Sequence, residues 1–184
     1  MVYHFIILSD EVEGFRRDVL IDSDATFYDL QEAILDSVGY AKDQMTSFFI
    51  CDEDWGKKTE ITLVEMDTTS EEDSYIMEKT HLSSLLEEER QKLLFVFDYM
   101  TDRAFFMELR EIITGKVQKK PECIRAEGKP PVQMVDFDEF DRQVSAKIAA
   151  REEESYFDDD ELNLDEYDEE DFGNLSEGNP FDDY

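Results

Sequence analysis

Two histidines and two cysteines are the only soft metal ligands in the chain, and they stand far apart as His4, Cys51, His81 and Cys123. A zinc site draws its ligands in tight sequence pairs, and none of these four has a close companion. The spacing points to structural or surface roles, and to no metal or other cofactor. Carboxylate is abundant instead, in Asp158-Asp159-Asp160 and through Asp165–Asp171. A calcium loop of the EF-hand type needs alternating ligands, a sixth-position glycine and a twelfth-position glutamate, and no window keeps that register. Cys51 precedes Asp52 and Glu53, which oppose thiolate formation. Cys123 has Lys119, Lys120 and Arg125 nearby and is the more reactive thiol. No phosphate-binding glycine loop, serine elbow or HExxH segment is present.

Three other groups could do something. Asp98 ends a strongly apolar run, where a carboxylate is costly unless it caps a turn or meets a cation. It could organise a hairpin turn with Thr101 or pair with Arg103; alternatively it could form a polar site with Asp102, Cys123 and the Pro130-Pro131 segment. Lys116, Lys119, Lys120, Arg125 and Lys129 make the one basic patch, a candidate anion site or a cradle for the chain's own acidic end. That end, residues 152–184, interleaves Tyr156, Phe157, Tyr167, Phe172 and Phe181 with its carboxylates. Acidic runs solvate a protein, whereas interleaved aromatics suit docking on a basic, apolar surface, and composition supports both readings.

The elements that must position these groups follow from periodicity. Tyr3–Leu8 and Phe15–Ile21 read as strands joined through a turn at Gly14. Thr26, with Asp29 three residues on, predicts a capping box, and Phe27, Leu30, Ile34 and Val38 give the apolar stripe of a helix that Gly39 ends. Ser47–Cys51 and Glu60–Glu65 read as strands about a turn through Trp55-Gly56, and residues 67–74 as a mobile loop. Ser84 with Glu87 predicts a second capping box and a turn or two of helix. Leu93–Phe97 reads as a strand buried on both faces, and alternation of Phe105, Met107 and Leu109 as its antiparallel partner. Residues 116–133 read as a basic loop. Asp136 would cap a last helix with the stripe Phe137, Phe140, Val144 and Ile148.

The chain is therefore expected to be α+β, with one domain over residues 1–151. A mixed or largely antiparallel sheet and two main helices would precede a disordered acidic tail over 152–184. Its 184 residues carry 49 acidic and 18 basic side chains, a net charge of −31. Sixteen of the acids, and no Lys or Arg, lie beyond Arg151. Such a charge repels phosphate backbones and anionic membranes, so direct nucleic-acid binding is disfavoured. Two unpaired cysteines, no apolar run of the ~20 residues a spanning helix needs, and an N-terminus without a basic leader point to the cytoplasm.

The stretch 94–133 carries a recognisable order. An apolar strand ends in Phe97-Asp98-Tyr99, a second strand follows, and then come Pro121-x-Cys123, Gly128 and Pro130-Pro131. This resembles the plasmid pRiA ORF-three-like family, and the Thr26–Val38 helix and Phe48…Trp55-Gly56 stretch fit its layout. The resemblance implies a compact α+β fold over residues 1 to about 135; it supplies no activity. Met100 stands where the family has glycine, and Val132-Gln133 where it has Glu-Asp. A site built on those polar residues in relatives would be altered here.

Three functions are compatible with these features. The chain could be a non-catalytic module binding a basic protein through its acidic surface or tail, which the absence of a catalytic constellation favours. It could mimic nucleic acid and occupy the DNA-binding face of another protein. It could be a degenerate or unrecognised enzyme working near Asp98 and the Pro130-Pro131 loop.

Overall fold

Alternation along the first strand sets the plan of the molecule. In β1 (Val2–Leu8), Tyr3, Phe5 and Ile7 point to one side of the sheet and join the main core, while Val2, Ile6 and Leu8 lie buried on the other. β2 (Arg16–Asp22) pairs antiparallel with β1, setting Ile21 opposite Tyr3 and Val19 opposite Phe5, so the same face continues across the hairpin. The structure, a computed structural model, describes residues 1–64 and 75–134. Met1–Gln133 forms one compact unit.

Helix α1 (Phe27–Val38) begins as its sequence dictates. The Thr26 hydroxyl accepts from the Asp29 N–H at 3.2 Å, and the Asp29 carboxylate accepts from the Thr26 N–H at 2.9 Å. A cap of this kind stabilises a helix by ~1 kcal/mol. Gly39 ends it with φ of 70°, a left-handed conformation that costs glycine little. Phe27, Leu30, Ile34 and Leu35 are buried in the core.

β3 (Ser47–Cys51), β4 (Lys57–Thr62), β5 (Tyr75–Ile76), β6 (Lys92–Asp98), β7 (Arg103–Ile113) and β8 (Glu122–Glu127) complete one eight-stranded sheet, ordered β5-β4-β3-β6-β7-β1-β2-β8. Only the β4–β5 pair is parallel, so the sheet is mixed and the architecture α+β. β6, central and buried along Leu93–Phe97, matches its continuously apolar sequence. Rings knit the core: Phe48 lies 4.7 Å from Phe95, Phe97 4.6 Å from Phe105, and Phe15 stacks on Phe105 at 5.0 Å. Truncating such a ring to Ala typically costs ~3–5 kcal/mol.

The structure departs from the sequence expectations at several points. Part of the expected basic loop, Glu122–Glu127, is strand β8, paired antiparallel with β2 across a bulge. Ser84 caps no helix. It lies inside a single 3-10 turn, Leu82–Ser84, and its hydroxyl donates to the His81 carbonyl at 2.6 Å. β4 begins at Lys57 rather than Glu60, because the Asp52 carboxylate accepts from the Asp54 and Gly56 N–H groups and closes a tight turn. Among the described residues α1 is the one α-helix. The second expected helix from Asp136, the loop at 67–74 and the tail all lie outside the described residues. Among the described residues no helix is long and apolar enough to cross a membrane.

Candidate functional site

Polar groups converge where the β6–β7 turn meets the chain leaving β8. Asp98 organises that turn: one carboxylate oxygen accepts from the Met100 N–H at 2.9 Å, the other from the Thr101 hydroxyl at 2.7 Å. Arg103, opening β7, grips Glu11 in the β1–β2 connection with two parallel bonds of 2.9 and 2.7 Å. The same guanidinium donates to the Val132 carbonyl at 2.7 Å, lies 3.6 Å from Asp98, and sits 5.1 Å from the centre of the Phe97 ring. The Glu11 hydrogen bond, ahead of burial, holds its pKa above the ordinary value.

Tyr40 completes the cluster. It follows the Gly39 cap, packs on Phe97 and Phe105, and donates its hydroxyl to the Pro131 carbonyl at 2.5 Å. Burial pushes the phenol well above its usual range. Gln133 adds two hydrogen bonds to the Ala41 backbone, at 2.7 and 2.8 Å. Together these contacts fasten residues 131–133 to the end of α1 and to the β6–β7 turn. Arg17 does the same one step earlier, donating to the carbonyls of Glu127, Gly128 and Ser37 while stacking over Phe15.

The sequence-predicted polar residues are thus only partly brought together. Asp98 and the Pro130-Pro131 segment share the Arg103 cluster. Asp102, in a left-handed turn position, instead pairs with Lys57 of β4 at 2.9 Å. Cys123 lies elsewhere. The register aligns it through Val19 and Phe5 with Leu109, three strands over and six residues along from Arg103, or roughly 25 Å away by strand spacing and rise. Burial pushes its thiol up, despite the neighbouring arginine. Cys51, half-buried, is pushed up to about 11, chiefly by burial.

The histidines are accounted for by local partners. His81 meets the Asp24 carbonyl at 2.6 Å. His4 contacts Asp18 at 3.0 Å, and Asp18 also accepts two bonds from Arg16, at 2.6 and 3.0 Å. Burial alone would raise the Asp18 pKa, but the hydrogen bonds from Arg16 and His4 outweigh it and hold it below the usual value. Lys116, Lys119, Lys120, Arg125 and Lys129 are exposed in and beside β8. The candidate tail residues Tyr156, Phe157, Tyr167, Phe172 and Phe181 lie outside the described residues.

Sequence reasoning missed Tyr40, Glu11 and Arg17. The signal for Tyr40 was an aromatic placed just after a helix-ending glycine, a position that packs back on the helix. For Arg17 it was a cation inside an apolar strand, which needs acceptors. Nothing local marks Glu11, because its partner is 92 positions away.

The chain that carries this arrangement of strand end, Arg-fastened Pro-Pro segment and helix α1 has a family match. Residues 3–175 match the family of plasmid pRiA4b ORF-3-like proteins. The chain belongs to that family. Among solved structures, this family member is similar to the crystal structure of a protein of unknown function from Methanosarcina mazei Go1. The two are 18% identical over 68% of each chain, with a TM-score of 0.53, a likeness of fold alone. No curated protein gives a significant match.

Proposed function

We propose that this protein is a non-catalytic interaction module that binds a basic partner protein through its acidic surface or its tail. The observation that carries the reading is the charge: −31 overall, with sixteen carboxylates interleaved with aromatics beyond Arg151. A surface of that sign steers cations over several ångströms to a Debye length, and aromatics between the acids add apolar contact on docking. Supporting it, Asp98, Asp102 and Arg103 are engaged in turn and ion-pair contacts rather than aimed at a common point. Both cysteines are free, which supports work in the reducing cytoplasm.

The test is affinity capture from a cell lysate with two full-length baits. One is the native chain; the other has the carboxylates of residues 158–171 replaced by their amides. Basic proteins held by the native chain at 50 mM salt and released near 300 mM would support the reading. Salt-insensitive capture, or none, would overturn it. Duplex DNA added as competitor separates a nucleic-acid mimic, whose partner it displaces, from a plain basic-protein binder, whose partner it leaves.

A further inference from the structure

We propose that the outer edge of β8 receives an extended acidic segment of another protein, which adds to the sheet as a ninth strand. The proposal goes beyond the basic-partner reading, because this surface has the opposite sign. Three observations meet there.

First, β8 ends the sheet, so among the described residues one side of its backbone has no ladder partner. All six of its residues are exposed. The opposite edge, β5, is two residues long. Along β8 alternate residues turn their N–H and C=O groups outward, over a span of about 20 Å. An edge of this kind takes an added strand through main-chain hydrogen bonds. Second, the edge lies in the one basic stretch of an acidic chain. Residues 116–129 hold five cations against Glu122 and Glu127, a net of +3 where the whole is −31. Both acids are already engaged, Glu127 with Arg125 at 2.9 Å and Glu122 with the Gln118 side chain at 3.3 Å. Lys116, Lys119, Lys120 and Lys129 are exposed and have no ion-pair partner among the described residues. Three precede the strand and one follows it, so cations bracket both ends. Third, the edge is not wholly polar. The bulge leaves Ile124 outside the pairing with β2 and 50% exposed, and Val117 stands at 79%. Apolar side chains between the acids of an added strand would cover them.

The charges choose the occupant. Lysines at a sheet edge keep neutral and basic strands away. A second copy of the chain would bring the same four lysines to the seam and set like charges against one another. An acidic segment turns those lysines into attraction. Repulsion by the chain's overall charge is screened beyond a Debye length of about 8 Å at physiological salt, so the local excess of cations decides at contact. A nucleic acid also offers anions, but it cannot continue a peptide ladder.

The test uses the purified full chain and a synthetic probe, so its outcome is independent of capture from a lysate. The probe is a fluorescent peptide of about eight residues that alternates Glu with Val, long enough to match β8. Three other probes are compared by anisotropy. One is the same peptide N-methylated at successive central amides, which keeps its charge and blocks both of its edges. The second alternates Lys with Val, and the third is a single-stranded oligonucleotide of equal charge. The protein is the native chain or the chain with K119E, K120E and K129E. The acidic peptide should bind the native chain at least about tenfold tighter than any other probe, and at least about tenfold tighter than it binds the variant. Saturating peptide should slow amide exchange in 118–128 of the native chain by a similar factor. Exchange in β1 and β6 should match between native chain and variant, showing that both are folded. Equal binding of the N-methylated peptide would overturn the proposal, since the contact would then be charge without a strand. Equal binding of the oligonucleotide would overturn it in favour of a phosphate site. So would β8 protection that grows with protein concentration in the absence of probe, because the occupant would then be a second copy.

Discussion

The Arg103 cluster offers a direct test of what holds residues 131–133 in place. Consider Arg103→Met, which keeps most of the side chain's bulk over the Phe97 ring and removes its charge. The side chain is 12% exposed and makes three hydrogen bonds, two to Glu11 and one to the Val132 carbonyl. Breaking a fully buried ion pair by removing one partner costs ~3–5 kcal/mol. Glu11 is 32% exposed, so water recovers much of its carboxylate and that term falls towards the ~1 kcal/mol of a surface pair. The Val132 bond is charge-assisted, a kind that contributes ~1.5–3 kcal/mol. The expected loss is therefore ~2.5–4 kcal/mol. Urea unfolding of the full chain, followed through the single tryptophan, Trp55, packed edge-on to Phe106 at 4.8 Å, provides the assay. With a slope of ~2 kcal/mol/M the midpoint should fall by ~1.2–2 M. Glu11→Gln alone should cost ~1 kcal/mol, and the double variant should reveal coupling of ~0.5–1 kcal/mol. A midpoint shift below about 0.3 M, or zero coupling, would show that residues 131–133 are held by Tyr40 and Gln133 and that Arg103 is incidental.

Gly128→Ala should destabilise by ~2 kcal/mol in the same assay, because a Cβ would stand 2.5 Å from the Gly14 carbonyl oxygen at a φ of +65°; unchanged stability would mean the β2–β8 end can spread freely. Asp18 has its pKa held below the ordinary carboxylate value in the folded state, so its contribution is present above that ordinary value and lost as pH falls through the folded one. Asp18→Asn should therefore cost ~2–4 kcal/mol at pH 7 yet flatten the decline in stability below pH 4, and an acid profile parallel to the native one would refute the assignment. Cys51, with its thiol pushed up to about 11, should resist iodoacetamide at pH 8 until urea unfolds the chain; ready labelling in the native state would contradict its burial.

Most of the fold was legible because its signals are local. The Thr26–Asp29 capping box, the left-handed Gly39, the apolar run of β1 and the period-two alternation in β7 all act within a few residues, and each stands where the sequence puts it. β8 was illegible for a definite reason. Glu122–Glu127 is exposed on both faces, so it shows neither alternation nor an apolar run, and only its ladder to β2 makes it a strand. The Ser84–Glu87 signature misled in the opposite way. Its local chemistry is right for a cap, but Leu82 and Leu86 are fully buried, and the backbone between them hydrogen-bonds across to Ala25 and Ser23 instead of extending a helix. Long-range packing there overrides local propensity.

The polar site shows the same division more sharply. Asp98 was readable because a carboxylate after five buried apolar residues must find donors nearby, and it finds them within three positions at Met100 and Thr101. Arg103 was readable only as a partner for Asp98, 3.6 Å away; its bonds to Glu11 and Val132 were not, since they span 92 and 29 positions. Spacing along the chain also suggested that Cys123 could share a site with Asp98, but the antiparallel register puts Cys123 near the start of β8, at the far end of the sheet, and β8 runs from there towards the Asp98 end. The residues that reach it are those after Gly128, once the chain has turned beside Gly14. What converges on Asp98 is therefore the Pro-Pro segment and not the thiol. The register thus separates the Asp98 carboxylate from the Cys123 thiol.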